Sequence, residues 1–252
     1  FNKPKTLADL ESGVDSTART YPALIGENLG HITLKFSMPI SQFINISAVG
    51  NRKNIDENEL FSGEFHAQRN LIREHAIGLA KYTLMGLVRA EIKSRLLKNP
   101  NIDREILAIK EGLGDPAYAS LQPIVCNIRN CAPGGEDIPI SDIGNDFRTT
   151  TGIYNVTLSQ KHLLWVVDGQ HRREGFEMVL EFLKKVTNTY KYPEKGLYKP
   201  EDYQKGELIT EKVNDFWMAI KEIATGRSTI AIECHVGLND KEEQQLFFDL
   251  NS

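Results

Sequence analysis

Long apolar runs, cysteine and a surplus of positive charge are all scarce in this 252-residue sequence. The longest uncharged apolar strings, such as residues 163–167, fall far short of the ~20 residues a membrane-spanning helix needs. No membrane span is therefore expected. Three cysteines, Cys126, Cys131 and Cys234, cannot build a disulfide framework, which fits a reducing cytoplasm. Cys126 and Cys131 lack a second Cys/His pair at zinc-ligand spacing, so no structural zinc is expected. With 30 basic and 34 acidic side chains the net charge is −4, which argues against coating nucleic acid by bulk charge. A Walker loop, a Ser/His/Asp set and a His-Glu-x-x-His motif are all missing, so the commonest ATPase, hydrolase and metalloprotease readings lack support. There is no repeat, no low-complexity tract and no charged-then-apolar leader, so no secretory signal is expected. The abrupt start at Phe1 and stop after Asn251-Ser252 read as the ends of a fragment.

What is present suits a globular fold: 40% hydrophobic and 25% charged residues, in a chain long enough for one large domain or two small ones. Residues 1–30, rich in Gly, Pro, Thr and Ser, read as a loop-dominated arm. Residues 32–36 alternate as a half-buried strand. A long helix is expected over about 66–97, stopped by Asn99-Pro100, with Gly78 and Gly86 as candidate breaks. Leu71, Ile72, His75, Leu79, Tyr82 and Met85 share one face, expected to pack on a sheet. Further strands are expected at 121–128, with Pro123 at the start or on an edge, at 153–159, at 163–167 and at 230–236. Residues 159–162 read as a hairpin connection. Helices are expected after Asp168-Gly169, over 210–225, and after Asn239, which with Glu242 spells a capping box. Residues 187–208 read as an inserted surface loop. The expected fold class is a mixed α/β domain over 31–252 with helical insertions near 90–120 and 187–225.

The segment from Leu163 to Val186 is the most informative. A buried strand ends in Asp168-Gly169, and a helix follows at once with Gln170, His171, Arg172 and Arg173. A helix start leaves unpaired N–H groups and a partial positive charge, which favours phosphate. Arginines add charge-assisted forks for phosphate oxygens, yet they are the wrong sign for a helix N-terminus unless an anion sits there. Asp168 could cap the helix, or hold His171 or a metal ion. Asp-Gly is also an ordinary turn, and paired arginines are often simply solvated.

Asp168-Gly169-Gln170-His171-Arg172 spells the signature of the DGQHR domain, a family that includes the DndB proteins of DNA phosphorothioate-modification clusters. The order of elements resembles the ParB/sulfiredoxin superfamily over nearly the whole chain. Residues 36–43 resemble the opening strand and turn of ParB, and Gln68-Arg69 its early basic box. Residues 121–125 resemble its Pro-Ile-Val strand, and 247–251 resemble Phe-x-x-Ile-Asn and Glu-Asn-x-x-Arg motifs. The resemblance implies a nucleotide-binding fold. In ParB the matching turn holds the triphosphate of CTP, and in sulfiredoxin it works with ATP. It further implies that Gly169, Gln170, His171, Arg172 and Arg173 face phosphates, with Asp168 beside them. Asn251 and Asp249 would approach from the last helix, with a magnesium ion between. Gln170 stands where sulfiredoxin has its reactive cysteine, so reductase chemistry is not expected. The replacement near Asp249 of ParB's glutamate leaves hydrolysis open, with Asp168 and His171 as the catalytic candidates.

Residues 66–98 hold seven basic and two acidic side chains, a local excess of five positive charges. Arg69, Arg73, Lys81, Arg89 and Lys93 are the candidates for duplex phosphates, although spacing in fours drifts around a helix. Cys234, Trp165 and Trp217 read as core, and His235 as exposed or hydrogen-bonded. The resulting expectation is a nucleotide-responsive, DNA-associated regulator of a modification or defence system. It would use a nucleoside triphosphate with magnesium and partner DNA, a second copy or other DNA-modification proteins. A DNA-dependent NTPase or a ParB-like nuclease using the same turn is the alternative.

Overall fold

The computed structural model describes residues 18–49, 73–114, 116, 118–143 and 152–251. The fold is mixed α/β. Its strands are β1 (Arg19–Asn28), β2 (His31–Pro39), β3 (Ser47–Ala48), β4 (Ile124–Ile128), β5 (Ile140–Asp142), β6 (Ile153–Leu158), β7 (Leu164–Asp168) and β8 (Thr229–Val236). The helices are α1 (Ile40–Ile46), α2 (Arg73–Lys98), α3 (Arg104–Leu113), α4 (Gln170–Thr189), α5 (Glu211–Glu222) and α6 (Asp240–Leu250). The described strands form one sheet in the order β3-β7-β4-β8-β2-β1-β6-β5. β3 on β7 and β4 on β8 are parallel, and the other pairings are antiparallel.

Residues 19–28 of the expected arm are instead an interior strand, while residues 1–17 lie outside the described residues. β1 pairs with β2 on one side and β6 on the other, and buries Tyr21 and Ala23. Its turn into β2, Leu29-Gly30, has positive φ at both residues (49° and 91°), the twist a tight antiparallel hairpin requires. The hairpin expected over 159–162 does not form. The turn is there, with His162 N–H donating to the Ser159 carbonyl at 2.9 Å, but β6 and β7 are not neighbours. β7 is apolar on both faces, so it lies inside the sheet between β3 and β4, where both faces can be covered. Leu164 and Val166 enter the sheet core, while Trp165 and Val167 alternate to the other side.

Two apolar cores share α4. Phe176 packs with the sheet residues, whereas Val179, Leu183 and Val186 pack among α2, α3 and α5 around Trp217. α2 runs unbroken through Gly78 and Gly86. Its buried face is Ala76, Ala80, Thr83, Leu84, Leu87, Val88, Glu91 and Ile92, not the expected one; His75 is exposed and Leu79 half-buried. The reason is closeness to α4. A Cβ on Gly175 would lie 3.1 Å from the Ala80 nitrogen and 3.2 Å from the Ala76 oxygen, so the contact selects small residues. Leu71 and Ile72 lie outside the described residues. Residues 187–208 are not a surface loop throughout: Tyr192, Leu197 and Tyr198 are buried in the helical core. His235 is buried too, at 5% exposure. No helix of the described residues is long and apolar enough to cross a membrane.

Candidate functional site

The corner at the end of β7 is shaped by Gly169, whose φ of +100° L side chains rarely adopt. A Cβ there would also press to 3.1 Å from Arg172 and from Ile124 Cγ1. The chain therefore turns within one residue. The first backbone bond of α4 runs from Arg173 N–H to the Gly169 carbonyl at 2.9 Å. Among the described residues no side chain caps α4, and no acid occupies its first turn. Its leading N–H groups thus keep their partial positive charge at the mouth of the corner.

A cavity of about 140 Å³ opens there, lined by residues 167–172 together with Leu79 of α2, Phe247 of α6 and Asn251. Segments separated by some eighty residues of sequence thus meet at one hollow. Within it, Asp168 and Arg172 form an ion pair, and a second guanidinium nitrogen of Arg172 donates to the Pro123 carbonyl. Both side chains remain partly accessible, 36% for Asp168 and 20% for Arg172. Gln170 is buried, and His171 meets the His75 ring edge-on at 4.9 Å between centroids. Asn251 donates its amide to the Phe247 carbonyl at 2.7 Å, closing its own helix end while still facing the hollow.

Two of the residues expected here are turned elsewhere. Arg173 donates to Ser47 Oγ at 2.9 Å, to the Ser47 carbonyl at 3.0 Å and to Glu177 at 3.1 Å, so it ties α4 to the α1–β3 junction. Arg172 and Arg173 are adjacent in sequence but about 100° apart around the helix, which separates their tasks. Asp249 accepts from Gln245 Nε2 at 2.7 Å on the exposed side of α6 and does not line the cavity. The sequence reading in turn missed Leu79 and His75 as neighbours of the turn, and the Pro123 carbonyl. No local pattern encodes them, because they arrive by the packing of α2 and β4 beside α4.

The N-terminal half of α6 is held firmly. Asn239 Oδ1 accepts from the Lys241 and Glu242 N–H groups, and Glu242 accepts from Asn239 N–H, completing the expected capping box. Asn127, fully buried, bonds both the N–H and the carbonyl of Leu238. Arg129 grips Glu243 with two nitrogens at 2.9 and 3.1 Å and stacks 4.4 Å over the Trp165 ring. These bonds fix where the far end of α6 meets the corner.

The basic residues of α2 do not form one stripe. Arg73, Lys81 and Lys93 are exposed, while Arg89 donates to the Pro116 carbonyl. Eight-residue steps rotate about 80° each, so these side chains fan around the helix. Arg69 lies outside the described residues. Of the thiols, Cys126 and Cys234 are buried, and burial pushes both well above the ordinary thiol range.

No curated protein and no solved structure matches the chain. The model of the DndB family, described as DNA-sulfur modification-associated, matches residues 21–252, from β1 through α6, and the chain belongs to that family.

Proposed function

We propose that this DndB-family chain is a nucleotide-responsive, DNA-associated regulator within a DNA-sulfur modification system. The observation that carries the reading is the hollow where the uncapped start of α4 meets the end of α6. Its lining combines backbone N–H groups, one arginine and amide side chains, the donor set that favours phosphate. At about 140 Å³ it suits phosphate groups; pockets for whole drug-sized ligands begin near ~300 Å³, so the base and sugar would lie outside it.

Arg172 is the residue that must change partner. In the structure Asp168 and the Pro123 carbonyl occupy its donors. A phosphate oxygen would compete with Asp168 for the guanidinium, since both side chains remain partly accessible. Asp168 is the one carboxylate among the described lining residues, which fits a magnesium ion held mainly by phosphate oxygens. Such an ion would offset phosphate charge beside that carboxylate. α2 links the corner to exposed basic side chains, since it carries Leu79 in the lining and Arg73 and Lys81 in exposed positions. A ligand that binds the open and closed corners with different affinity would shift the population of α2 positions offered to DNA.

A thermal-shift screen of ATP, GTP, CTP and UTP with magnesium tests this. At a hundredfold excess over Kd the fitting nucleotide should raise Tm by roughly 5–10 °C. No rise with any of the four would defeat the reading. Phosphate release, measured with and without DNA, should be slow for a switch; fast release would favour an NTPase using the same turn.

A further inference from the structure

Residues 118–123, which lead into β4, have no regular structure and are exposed or half-buried. Among the described residues two hydrogen bonds hold them, one to α2 and one from α4. The Ser120 N–H donates to the Tyr82 hydroxyl of α2 at 2.9 Å, and Arg172 of α4 donates to the Pro123 carbonyl. They make no backbone–backbone hydrogen bond among the described residues. We propose that this stretch is a strap, freed from α2 when a ligand takes Arg172, which carries the state of the corner to the face of α2. The proposal rests on the phosphate reading of the corner.

The corner end of the strap is built to depend on Arg172. Pro123 has no N–H, so at the entry to β4 the chain offers only its carbonyl. The ladder is irregular at the same level: Val125 is partnered with Asp168 and Cys126 with Val166, a bulge that leaves Val167 unmatched. The guanidinium that holds the carbonyl also pairs with Asp168 in the hollow. Hydrogen bonds between a guanidinium and phosphate join two charged partners and are stronger than those to a neutral carbonyl. Strap and phosphate therefore compete for one cation, and the phosphate has the stronger hold.

The other end lies on α2. Leu79, Tyr82 and Gly86 follow one another along one face of that helix, at spacings of three and four residues. Leu79 lines the corner, whereas Tyr82 and Gly86 line a separate cavity of about 210 Å³ together with Ala119, Ser120 and Leu121 of the strap. Gly86 admits the strap, since a Cβ there would lie 3.1 Å from the Ala119 Cβ. Leu121 packs against the sheet core. The strap is thus seated at points, with space left beneath it, rather than close-packed along its length. Coupling of this kind is reciprocal: if a ligand at the corner loosens the strap, loosening the strap must favour the ligand.

The test is hydrogen exchange of the full chain, read at the amides of 118–122, with magnesium tripolyphosphate as the probe and calorimetry to measure its binding. Bound tripolyphosphate should speed exchange of the strap at least threefold, while the buried helix α5 around Trp217 does not exchange faster. Arg172→Ala should speed the strap similarly without any ligand, because it removes the tie at Pro123. Tyr82→Phe, which loosens the far end, should bind tripolyphosphate roughly two- to fivefold more tightly than wild type, an effect absent when Arg172 is also alanine. A tyrosine that merely supported the fold would weaken binding instead. Binding without faster strap exchange, or Tyr82→Phe no tighter than wild type, would overturn the proposal. No saturable heat with wild type would defeat the phosphate reading, and the ligand-free Arg172→Ala result would then decide the strap alone, an unchanged rate overturning it.

Discussion

Two arginine–carboxylate pairs lie near the two ends of α6, one gripping the helix and one across the hollow that its far end lines, and the contrast shows what each end is for. Near its start, Glu243 is 7% exposed, gripped by two nitrogens of Arg129, and roofed by that same guanidinium on Trp165. Near its end, the Asp168–Arg172 pair stands at the rim of a hollow with both side chains partly in water. A buried charge depends on its partner, because removing one side strands the other in low dielectric. A pair that water reaches on both sides strands neither charge when it opens, and so exchanges more readily. One end of α6 is therefore a fixed anchor, and the other is a place where a ligand can compete for an arginine.

Substitutions that separate the two ends sharpen this contrast. The largest effect is expected from Arg129→Met, which leaves Glu243 buried without its counter-charge and should remove about 3 kcal/mol of stability in chemical denaturation. A loss below ~1 kcal/mol would show that the anchor is no firmer than the rim. Arg173→Ala comes next. It deletes bonds to Ser47 and Glu177 and should lower stability by about 1–3 kcal/mol while leaving nucleotide affinity unchanged. Arg172→Ala should do the reverse, with less than ~1 kcal/mol of stability change.

The smallest effect is a pH dependence that belongs to neither pair. Burial holds His162 and His235 below the ordinary histidine value of 6.5. The unfolded chain then binds those protons more readily than the folded one. Their contribution is full above about pH 6.5 and is lost as pH falls through the depressed folded values. Tm should decline as acid is added over that window, and His162→Gln should flatten the decline. An unchanged slope in the variant would remove His162 from the account.

Sequence carried the core of this picture where the signal was local. An apolar five-residue run, Asp168-Gly169 and the helical repeat of Phe176, Val179, Leu183 and Val186 define β7, the turn and α4 without reference to anything distant. The capping box at Asn239 is local in the same sense. What was illegible depends on partners. β1 hides a Tyr21/Ala23 alternation inside a composition that reads as loop, and only pairing with β2 and β6 makes it a strand. The pairing of β7 with β4 rather than β6 is set by which faces need cover, not by the turn before it. α2 was read by its large apolar residues, whereas Gly175 brings α4 so close that Ala76 and Ala80 make the contact. At the site itself, the motif and the residue after it offered both Arg172 and Arg173, and only the placement of α1, β3 and β4 assigns one to the hollow and the other to the scaffold.

The difference between these neighbouring arginines also supplies the most direct test. Wild type, Arg172→Ala and Arg173→Ala should be titrated calorimetrically with whichever triphosphate raises Tm, in the presence of magnesium. The account predicts that Arg172→Ala weakens binding by about 1.5–3 kcal/mol while Arg173→Ala binds as wild type does. Equal affinity of Arg172→Ala and wild type, or a larger loss in Arg173→Ala, would contradict it.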